Sequence, residues 1–280
     1  MMKRLIVISD TKDPYVNHAI EEILFSSFLD YEQILFLWVN SPAVVFGRNQ
    51  NPWREVDVKF AKSNDIKLLR RISGGGTVYH DTGNLNYSFI EKHNLYDESS
   101  HFEWIKEAVG RFGPELEVSP RKDLVVDGKK VSGSAFYLKG MRRLHHGTLL
   151  IDTDLDVLWQ SLKVKDEAYK SRFSQTRSIV SVPSPVVNLK TLAHELKVSD
   201  VMNAIVDVFY MANSYEVDTL SVREVLKAHQ PTYQKIKMKH ASWDWVFGET
   251  PNFTYEDERG KCYEISGGKV KPEGDINAIF

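Results

Sequence analysis

The sequence has almost no cysteine, because Cys262 is the only one among 280 residues. A single thiol forms no internal disulfide and supplies no cysteine-based metal site, and both facts are typical of a reducing compartment. Long hydrophobic runs are also absent. The longest stretch without a charged side chain, residues 33–47, contains Asn40, Ser41 and Pro42. A membrane-spanning helix needs about 20 consecutive apolar residues, so the sequence predicts none.

The sequence also lacks an excess of charge of one sign, because its 36 Lys and Arg residues nearly balance its 38 Asp and Glu residues and leave a net charge of -2. No global field would hold this chain on nucleic acid or on an anionic membrane. The first apolar run ends at Ser9 and Asp10, unlike the core of a secretory signal. We therefore expect a cytoplasmic protein, or a mitochondrial matrix protein in a eukaryote.

Strand and helix patterns alternate, and strands come in pairs around short turns. This predicts an α/β (α+β) protein with a mixed, largely antiparallel sheet packed with helices. Residues 34–40 and 43–47 predict one hairpin, and residues 77–80 and 84–90 predict a second. Asp13 followed by Pro14 marks a helix start, and Ser99 or Ser100 is expected to cap another helix.

Glycine and proline accumulate after Trp245. We therefore predict a large domain over residues 1–248 and a small, strand-rich appendage over residues 249–280. Residues 172–188 are punctuated by serine and proline and predict a long connecting or functional loop.

The strongest motif is RRISGGGTVYHD, residues 70–81. Three consecutive glycines between two strands indicate a backbone that approaches a ligand closely or takes unusual dihedral angles. Bare amides in such a loop can bind phosphate or carboxylate oxygens, and we expect Arg70 and Arg71 to present their guanidinium groups to the same anion. A flexible hairpin without a ligand is the alternative.

Three further motifs carry polar residues: DLVVDGKKVSGSA (123–135), LHHGTLL (144–150) and GRNQNPW (47–53). In the first, a lysine beside small residues can lay its ammonium across a pocket, although a solvated turn is the better interpretation of Lys129. In the second, His145 and His146 point to opposite faces of a strand and cannot both bind one metal in the usual way. The third is a ligand-binding loop or a surface turn. Glu21 shows no pairing typical of an acid/base dyad.

Together, in this order, the four motifs resemble the lipoate-protein ligase A and lipoyltransferase family. The resemblance runs from about residue 14 to residue 190 and extends weakly to WDWVFG, residues 243–248. It implies the large domain shared with biotin protein ligases, in a protein that converts lipoate and ATP, with Mg²⁺, to lipoyl-AMP and pyrophosphate. The lipoyl group then passes to a lysine of a lipoyl domain in a 2-oxoacid dehydrogenase acyltransferase subunit, or of the glycine-cleavage H protein.

The resemblance also implies roles for residues that match the family motifs. Lys130 is the expected catalytic residue and contacts both nucleotide and lipoyl group. Asp123 is the one candidate contact for the metal. The other expected contacts are Arg71, Gly76, Thr77, Val78 and Tyr79 with the nucleotide, and Ser73, Gly75, His80 and His146 with the lipoyl group.

Other functions remain open. Pro183 stands where many bacterial ligases carry arginine, and the segment after residue 248 is short. Both features are similar to lipoyltransferases that use pre-formed lipoyl-AMP or protein-bound lipoyl, or to ligases that need a separate accessory-domain protein. A thioester mechanism is disfavoured because Cys262 lies outside every motif. A non-catalytic homologue is disfavoured because Arg71, the glycines and Lys130 are present, and a biotin ligase because its Gly-Arg-Gly-Arg motif is missing.

Overall fold

A computed structural model describes residues 3–162, 167–214, 216–272 and 274–280. The strands, numbered in chain order, are β1 Arg4–Ile8, β2 Gln33–Val39, β3 Ala43–Phe46, β4 Lys67–Arg70, β5 Val78–His80, β6 Asn84–Lys92, β7 Glu117–Val118, β8 Leu124–Val126, β9 Lys129–Ser132, β10 Ser134–Lys139, β11 Arg142–Leu150, β12 Phe173–Ser174, β13 Asp218–Ser221, β14 Phe253–Glu256, β15 Cys262–Ser266 and β16 Lys269–Lys271.

The helices are α1 Pro14–Ser27, α2 Pro52–Glu55, α3 Val58–Ser63, α4 Glu98–Gly110, α5 Leu155–Ser161, α6 Glu167–Lys170, α7 Val198–Ala212, α8 Val222–Ala228 and α9 Gln230–Ala241. Short 3₁₀ turns occur at His93–Leu95, Leu189–Thr191 and Ile276–Ala278, and Asp244–Gly248 forms a π-helical turn. No helix within the described ranges is long and apolar enough to cross a bilayer.

The chain divides into two compact units. The first comprises Met1–Ser41, Asp81–Thr153 and Ser184–Ile236, and the second comprises Pro42–His80, Asp154–Pro183 and Lys237–Phe280. Residues 249–280 belong to the second unit, which also contains two earlier segments of the chain. The boundaries of the compact units therefore differ from the predicted division at residue 248. That division stays a prediction about function.

The first unit is built on a six-stranded sheet in the order β10-β11-β6-β2-β1-β13. The pairs from β10 to β2 are antiparallel, whereas β2 with β1 and β1 with β13 are parallel. This confirms the predicted mixed sheet. A smaller antiparallel sheet, β7-β8-β9, lies in the same unit. The core contains Leu37, Tyr87 and Phe89 from the large sheet, with Ile105 of α4 and Ile205 of α7 packed on them.

The second unit contains the sheets β4-β3-β5 and β12-β14-β15-β16. Its own apolar core includes Phe46, Trp53 and Tyr79 together with Phe253 and Ile265 of the C-terminal strands. The strand-rich character expected for the last residues is therefore found, in β14, β15 and β16.

Local signals predicted the start of α1 correctly and misplaced the start of α4. The Asp13 carboxylate accepts hydrogen bonds from the Tyr15 and Val16 amides at the start of α1, as its position before Pro14 predicts. The predicted cap of α4 is wrong by two or three residues. Asp97, rather than Ser99 or Ser100, caps the helix and accepts from the Ser99 amide.

Both predicted hairpins before residue 91 are wrong. β2 pairs with β1 and β6, while β3 pairs with β4 and β5. Both hydrogen-bonding edges of β2 and of β3 are occupied by these partners, so neither strand has an edge left for its neighbour in sequence. The turn after β5 instead packs on residues 151–152, where the Ile151 and Asp152 amides donate to the Gly83 carbonyl at 3.0 Å.

Alternation along β11 sends its two adjacent histidines to opposite faces, as predicted. The Nδ1 atom of His145 lies 3.2 Å from Nδ1 of His101 in α4, and that of His146 lies 2.7 Å from a carboxylate oxygen of Glu21 in α1. Burial, together with the charges of His101, His146 and Lys122, holds the pKa of His145 well below its usual value of 6.5. The folded protein therefore keeps His145 neutral.

Gly83 leaves no room for a side chain, because a Cβ atom there would stand 2.0 Å from the Asp152 carbonyl oxygen. We expect Gly83→Ala to lower the free energy of unfolding by about 2 kcal/mol or more, since backbone must move. The matched control is Gly110→Ala at the end of α4, where a Cβ atom meets nothing within 4 Å. Urea unfolding measures both variants, and equal stabilities would contradict this packing.

Acidification should unfold the protein partly through His145. Because the pKa of His145 is lower in the folded than in the unfolded chain, the unfolded chain binds the extra proton, and stability is lost as pH falls below about 6.5. The loss reaches at most about 1.4 kcal/mol per pH unit from this group. Urea unfolding at pH 7.5 and 5.5 should show a smaller pH dependence in His145→Gln, and identical pH dependence would contradict the assignment.

Candidate active site

Lys130 is held by backbone contacts on both sides of its strand. The β8–β9 turn passes through Asp127 and Gly128, both with positive φ, and the register shifts between Leu124 and Val125. The Lys130 amide donates to the Pro185 carbonyl at 2.8 Å, and the Val187 amide donates to the Lys130 carbonyl at 3.0 Å. The position of Lys130 therefore depends on the main chain of residues 185–187 as well as on its own hairpin.

The side chain of Lys130 lies across Gly133. A Cβ atom on Gly133 would stand 2.8 Å from both Cε and Nζ of Lys130. The Nζ atom is 2.8 Å from Oδ1 of Asp123, and the lysine side chain stays 23% exposed. The glycine in this motif thus makes space for the ammonium, which retains access to solvent and to a ligand.

Asp123 pairs with cations rather than with other metal ligands. Besides Lys130, Arg121 lies 3.7 Å from its carboxylate. Within the described part of the chain, no group of three or more His, Cys, Asp or Glu side chains is arranged to hold a metal ion. The Asp123 carboxylate is therefore engaged by two cations in this structure, and its contact with a metal stays a prediction.

His146 forms a buried acid/base pair that the sequence did not predict. Its Nδ1 atom lies 2.7 Å from Oε1 of Glu21, and the same oxygen accepts from the Ser88 hydroxyl at 2.6 Å. Trp38 donates to Ser88 at 3.2 Å. Glu21 and His146 are 125 positions apart, and only the packing of α1 on the sheet brings them together. The carboxylate orients the ring.

The glycine loop lies in the second unit, where Arg71 closes it from inside. The guanidinium donates to the Gly74 carbonyl at 2.6 Å, the Gly76 carbonyl at 2.7 Å and the Val45 carbonyl at 3.1 Å. It also donates to the Ser73 hydroxyl at 3.0 Å. Arg71 therefore fixes the shape of the loop, while its predicted direct contact with a nucleotide stays a prediction.

Arg70 does not present its guanidinium to a ligand, which corrects the expectation for this residue. It is fully buried and donates to the Gly47, Arg48 and Gln50 carbonyls and to the Val246 carbonyl, at 2.8–3.3 Å. Burial lowers its pKa to about 9. The carbonyl oxygens satisfy a buried cation that would otherwise be costly, and Arg70 thereby fixes the 47–50 turn.

That turn supports the glycine loop. A Cβ atom on Gly47 would lie 2.2 Å from the Gly75 carbonyl oxygen, and Gly75 has a φ of 90°, a conformation that favours glycine. Gln50 accepts from the Thr77 hydroxyl at 2.9 Å and donates to the Ser181 hydroxyl at 2.9 Å. The sequence marked residues 47–53 as polar but did not show that they brace the next motif.

Ser181 connects the long 172–188 loop to the glycine loop. Its hydroxyl accepts from the Thr77 amide at 2.9 Å, and its own amide donates to Glu55 at 3.0 Å. A Cβ atom on Gly76 would meet the Ser181 hydroxyl at 3.3 Å. Serine and proline punctuation predicted a loop here, but nothing local identified Ser181 as the contact.

The remaining predicted residues occupy β5. Tyr79 packs into the second core, Val78 is partly buried and His80 is buried. The structure thus places Lys130, Asp123 and His146 in the first unit and all the other predicted site residues in the second. Lys130 and Asp123 are in contact, and Arg71, Ser73, Gly76 and Thr77 share one hydrogen-bonded loop.

The two units present different chemical groups to a ligand. The first carries a partly exposed ammonium beside a glycine, and such a group stabilises negative charge that develops on a phosphate or carboxylate. The second carries a glycine-rich backbone held rigid by buried arginines, and its amides suit oxygen ligands. Neither unit displays a cysteine in these motifs.

Comparison with known proteins identifies relatives of this chain. A family model described as the lipoyl protein ligase A/B catalytic domain matches residues 13–210. The lipoate-protein ligase A of Psychrobacter cryohalolentis is 36% identical over 262 residues, which cover 92% of this chain and 76% of that protein.

Solved structures agree with the fold. The crystal structure of P. falciparum LipL1 in complex with lipoate has a TM-score of 0.75 at 27% identity and covers 99% of this chain and 87% of that one. A lipoate-protein ligase A bound with ATP has a TM-score of 0.68 at 26% identity, covering 88% and 98% of the two chains. A bi-partite lipoate protein ligase of Thermoplasma acidophilum, from a study that includes its E2 lipoyl domain, has a TM-score of 0.69 at 25% identity, covering 88% and 96%.

The matched segment contains Lys130 with its glycine, the Glu21–His146 pair and the glycine loop with Ser181. With the family model spanning well over half of the chain and one relative above one third identity, this protein belongs to the lipoyl protein ligase A/B catalytic-domain family.

Proposed function

We propose that the protein is a lipoate-protein ligase that activates lipoate with ATP and transfers the lipoyl group to a lysine of an acceptor protein. The observation that carries the proposal is the Lys130 ammonium, held over Gly133 by Asp123 and still partly exposed. Relatives named as lipoate-protein ligases, and structures of relatives with lipoate or with ATP, support the substrates.

In the first step, a carboxylate oxygen of lipoate attacks the α-phosphorus of ATP, the bond to the bridging oxygen breaks, and pyrophosphate leaves. Negative charge accumulates on the non-bridging oxygens during this step. Lys130 stabilises that charge and draws carboxylate and phosphate together, which are contributions of electrostatics and positioning. Within the second unit, the Gly74, Gly75 and Gly76 amides suit oxygen ligands such as phosphate.

In the second step, the amine of the acceptor lysine attacks the carbonyl carbon of the mixed anhydride. The amide bond forms, AMP leaves with the bonding electrons, and the amine loses a proton. No nucleophile of the ligase itself is needed. Mg²⁺ is proposed to bind as the counter-ion of ATP. Neither step requires the protein to supply a binding site for it.

The proposed acceptors are lipoyl domains of 2-oxoacid dehydrogenase acyltransferase subunits and the glycine-cleavage H protein. The ligase of T. acidophilum studied with its E2 lipoyl domain supports the first class. We further propose that residues 1–248 carry catalysis and that the reaction takes place in the cytoplasm.

The proposal is tested with purified protein and an apo lipoyl domain. One reaction contains ATP, Mg²⁺ and lipoate, a second contains synthetic lipoyl-AMP, and the mass of the acceptor is read in both. A lipoyl mass shift in both reactions is the expected result. A shift only with lipoyl-AMP would make the protein a lipoyltransferase, consistent with Pro183, and no shift in either would overturn the proposal.

Removing the ammonium should remove activity without unfolding the chain. We expect Lys130→Ala to lower the rate of acceptor modification by about 100-fold or more, the size of effect known for a donor that stabilises developing charge. The matched control is Lys129→Ala, which removes the adjacent exposed lysine and should retain nearly full activity. An active Lys130→Ala variant, with thermal melting confirming both folds, would refute the site assignment.

The only thiol should be dispensable. Cys262 begins β15 and is exposed, and the proposed steps form no thioester. We expect Cys262→Ser to modify the acceptor at the wild-type rate with either donor. Loss of turnover in this variant, together with an acylated enzyme mass in the wild type, would instead show covalent catalysis.

A further inference from the structure

A line of polar side chains, all buried except the half-buried Ser134, runs through the first unit and ends at the strand junction beside Lys130. The proposed reaction assigns it no role. Its members, named here the polar line, are Glu91, His101, His145, Ser134, Tyr87 and Ser132.

The inner half of the polar line starts from a carboxylate. Oε1 of Glu91 lies 3.0 Å from Nε2 of His101, and both side chains are almost fully buried. Nδ1 of His101 lies 3.2 Å from Nδ1 of His145. Because burial holds the pKa of His145 well below its ordinary value, this ring carries a single N–H. One of its nitrogens donates and the other accepts, and either arrangement continues the line.

The outer half reaches the motif that contains Lys130. Nε2 of His145 lies 3.1 Å from the Ser134 hydroxyl, which is 3.4 Å from the Tyr87 hydroxyl. Tyr87 in turn lies 3.2 Å from the Ser132 hydroxyl. Burial raises the pKa of Tyr87, so its hydroxyl keeps its proton and remains able to donate.

Tyr87 can reach this position only because Gly147 has no side chain. A Cβ atom on Gly147 would stand 2.3 Å from the Tyr87 hydroxyl oxygen. The Thr148 amide also donates to the Gly133 carbonyl at 3.1 Å. The serines on both sides of Gly133 are therefore fastened to Tyr87, while Gly133 itself lies against the Lys130 ammonium.

We propose that the polar line positions Lys130. By fixing Ser132 and Ser134 on either side of Gly133, it sets the surface over which the ammonium lies. Its members are positioning residues, because among the described residues the Lys130 ammonium pairs with Asp123 and no hydrogen bond or ion pair joins it to the polar line. The inference rests on the proposed function of Lys130. A purely apolar junction would satisfy packing here, whereas five polar side chains joined by hydrogen bonds from His101 to Ser132 fix one geometry.

The test removes one hydroxyl from the polar line. Tyr87→Phe keeps the ring and breaks the link between the two serines, and Tyr233→Phe is the control, since Tyr233 is a buried tyrosine of the same unit outside the line. We expect Tyr87→Phe to lower kcat about 10-fold with the KM for lipoate changed less than twofold. The control should change neither value.

A double-variant cycle separates positioning from a general loss of structure. If Tyr87 acts through Lys130, then adding Tyr87→Phe to Lys130→Arg should lower the remaining rate less than twofold. A second 10-fold loss in that background would contradict the proposal. Equal kcat values for wild type and Tyr87→Phe would contradict it as well.

A readout without turnover keeps this inference distinct from the proposed function. Reductive methylation with formaldehyde, followed by peptide mass analysis, reports how accessible each lysine amine is. In Tyr87→Phe we expect Lys130 to react at least 3-fold faster, with Lys129 unchanged. A changed Lys130 in a protein that modifies no acceptor would support positioning and refute the proposed function. An unchanged Lys130 in an active protein would refute positioning alone.

Discussion

The proposed chemistry depends on one contact, that of the Lys130 ammonium with the bare backbone of Gly133, with Asp123 as counter-ion. A lysine on a flexible stem is a poor positioning device by itself, since its rotamers cost entropy to fix. Here the strand, the glycine and the carboxylate restrict it together. Backbone bonds to Pro185 and Val187 hold the main chain from the other side. The ammonium is thus placed before any ligand arrives, which is the condition for effective electrostatic catalysis.

Rigid support recurs at the glycine loop. Three glycines in succession have high conformational freedom, and a loose loop would lose entropy on binding a ligand. Arg71 from within, and the Gln50–Ser181 pair beside it, restrict that freedom in advance. Both arginines of the motif therefore serve the backbone. The same residue types that suggest anion binding in a sequence can instead organise the loop whose amides are free to do so.

Features set by near neighbours were predictable from the sequence, and features set by distant partners were not. The cap at Asp13, the β8–β9 turn and the opposite faces of His145 and His146 follow from residues within a few positions. The pairing of β2 with β6 and of β3 with β5 depends on segments far along the chain, so the predicted hairpins were wrong. The Glu21–His146 pair and the contact of Ser181 with Thr77 were missed for the same reason. The four motifs marked where chemistry is concentrated, but only the fold shows which side chains face a ligand and which hold the backbone.

The most direct test of the central claim is lipoate-dependent exchange of labelled pyrophosphate into ATP. This exchange reports formation of lipoyl-AMP without any acceptor, and so isolates the step in which the Lys130 ammonium stabilises developing charge. We predict that the wild type catalyses an exchange that requires lipoate and is lost in Lys130→Ala. Exchange of equal rate in wild type and Lys130→Ala would contradict the role of Lys130, and a wild type without exchange would contradict adenylation by this chain.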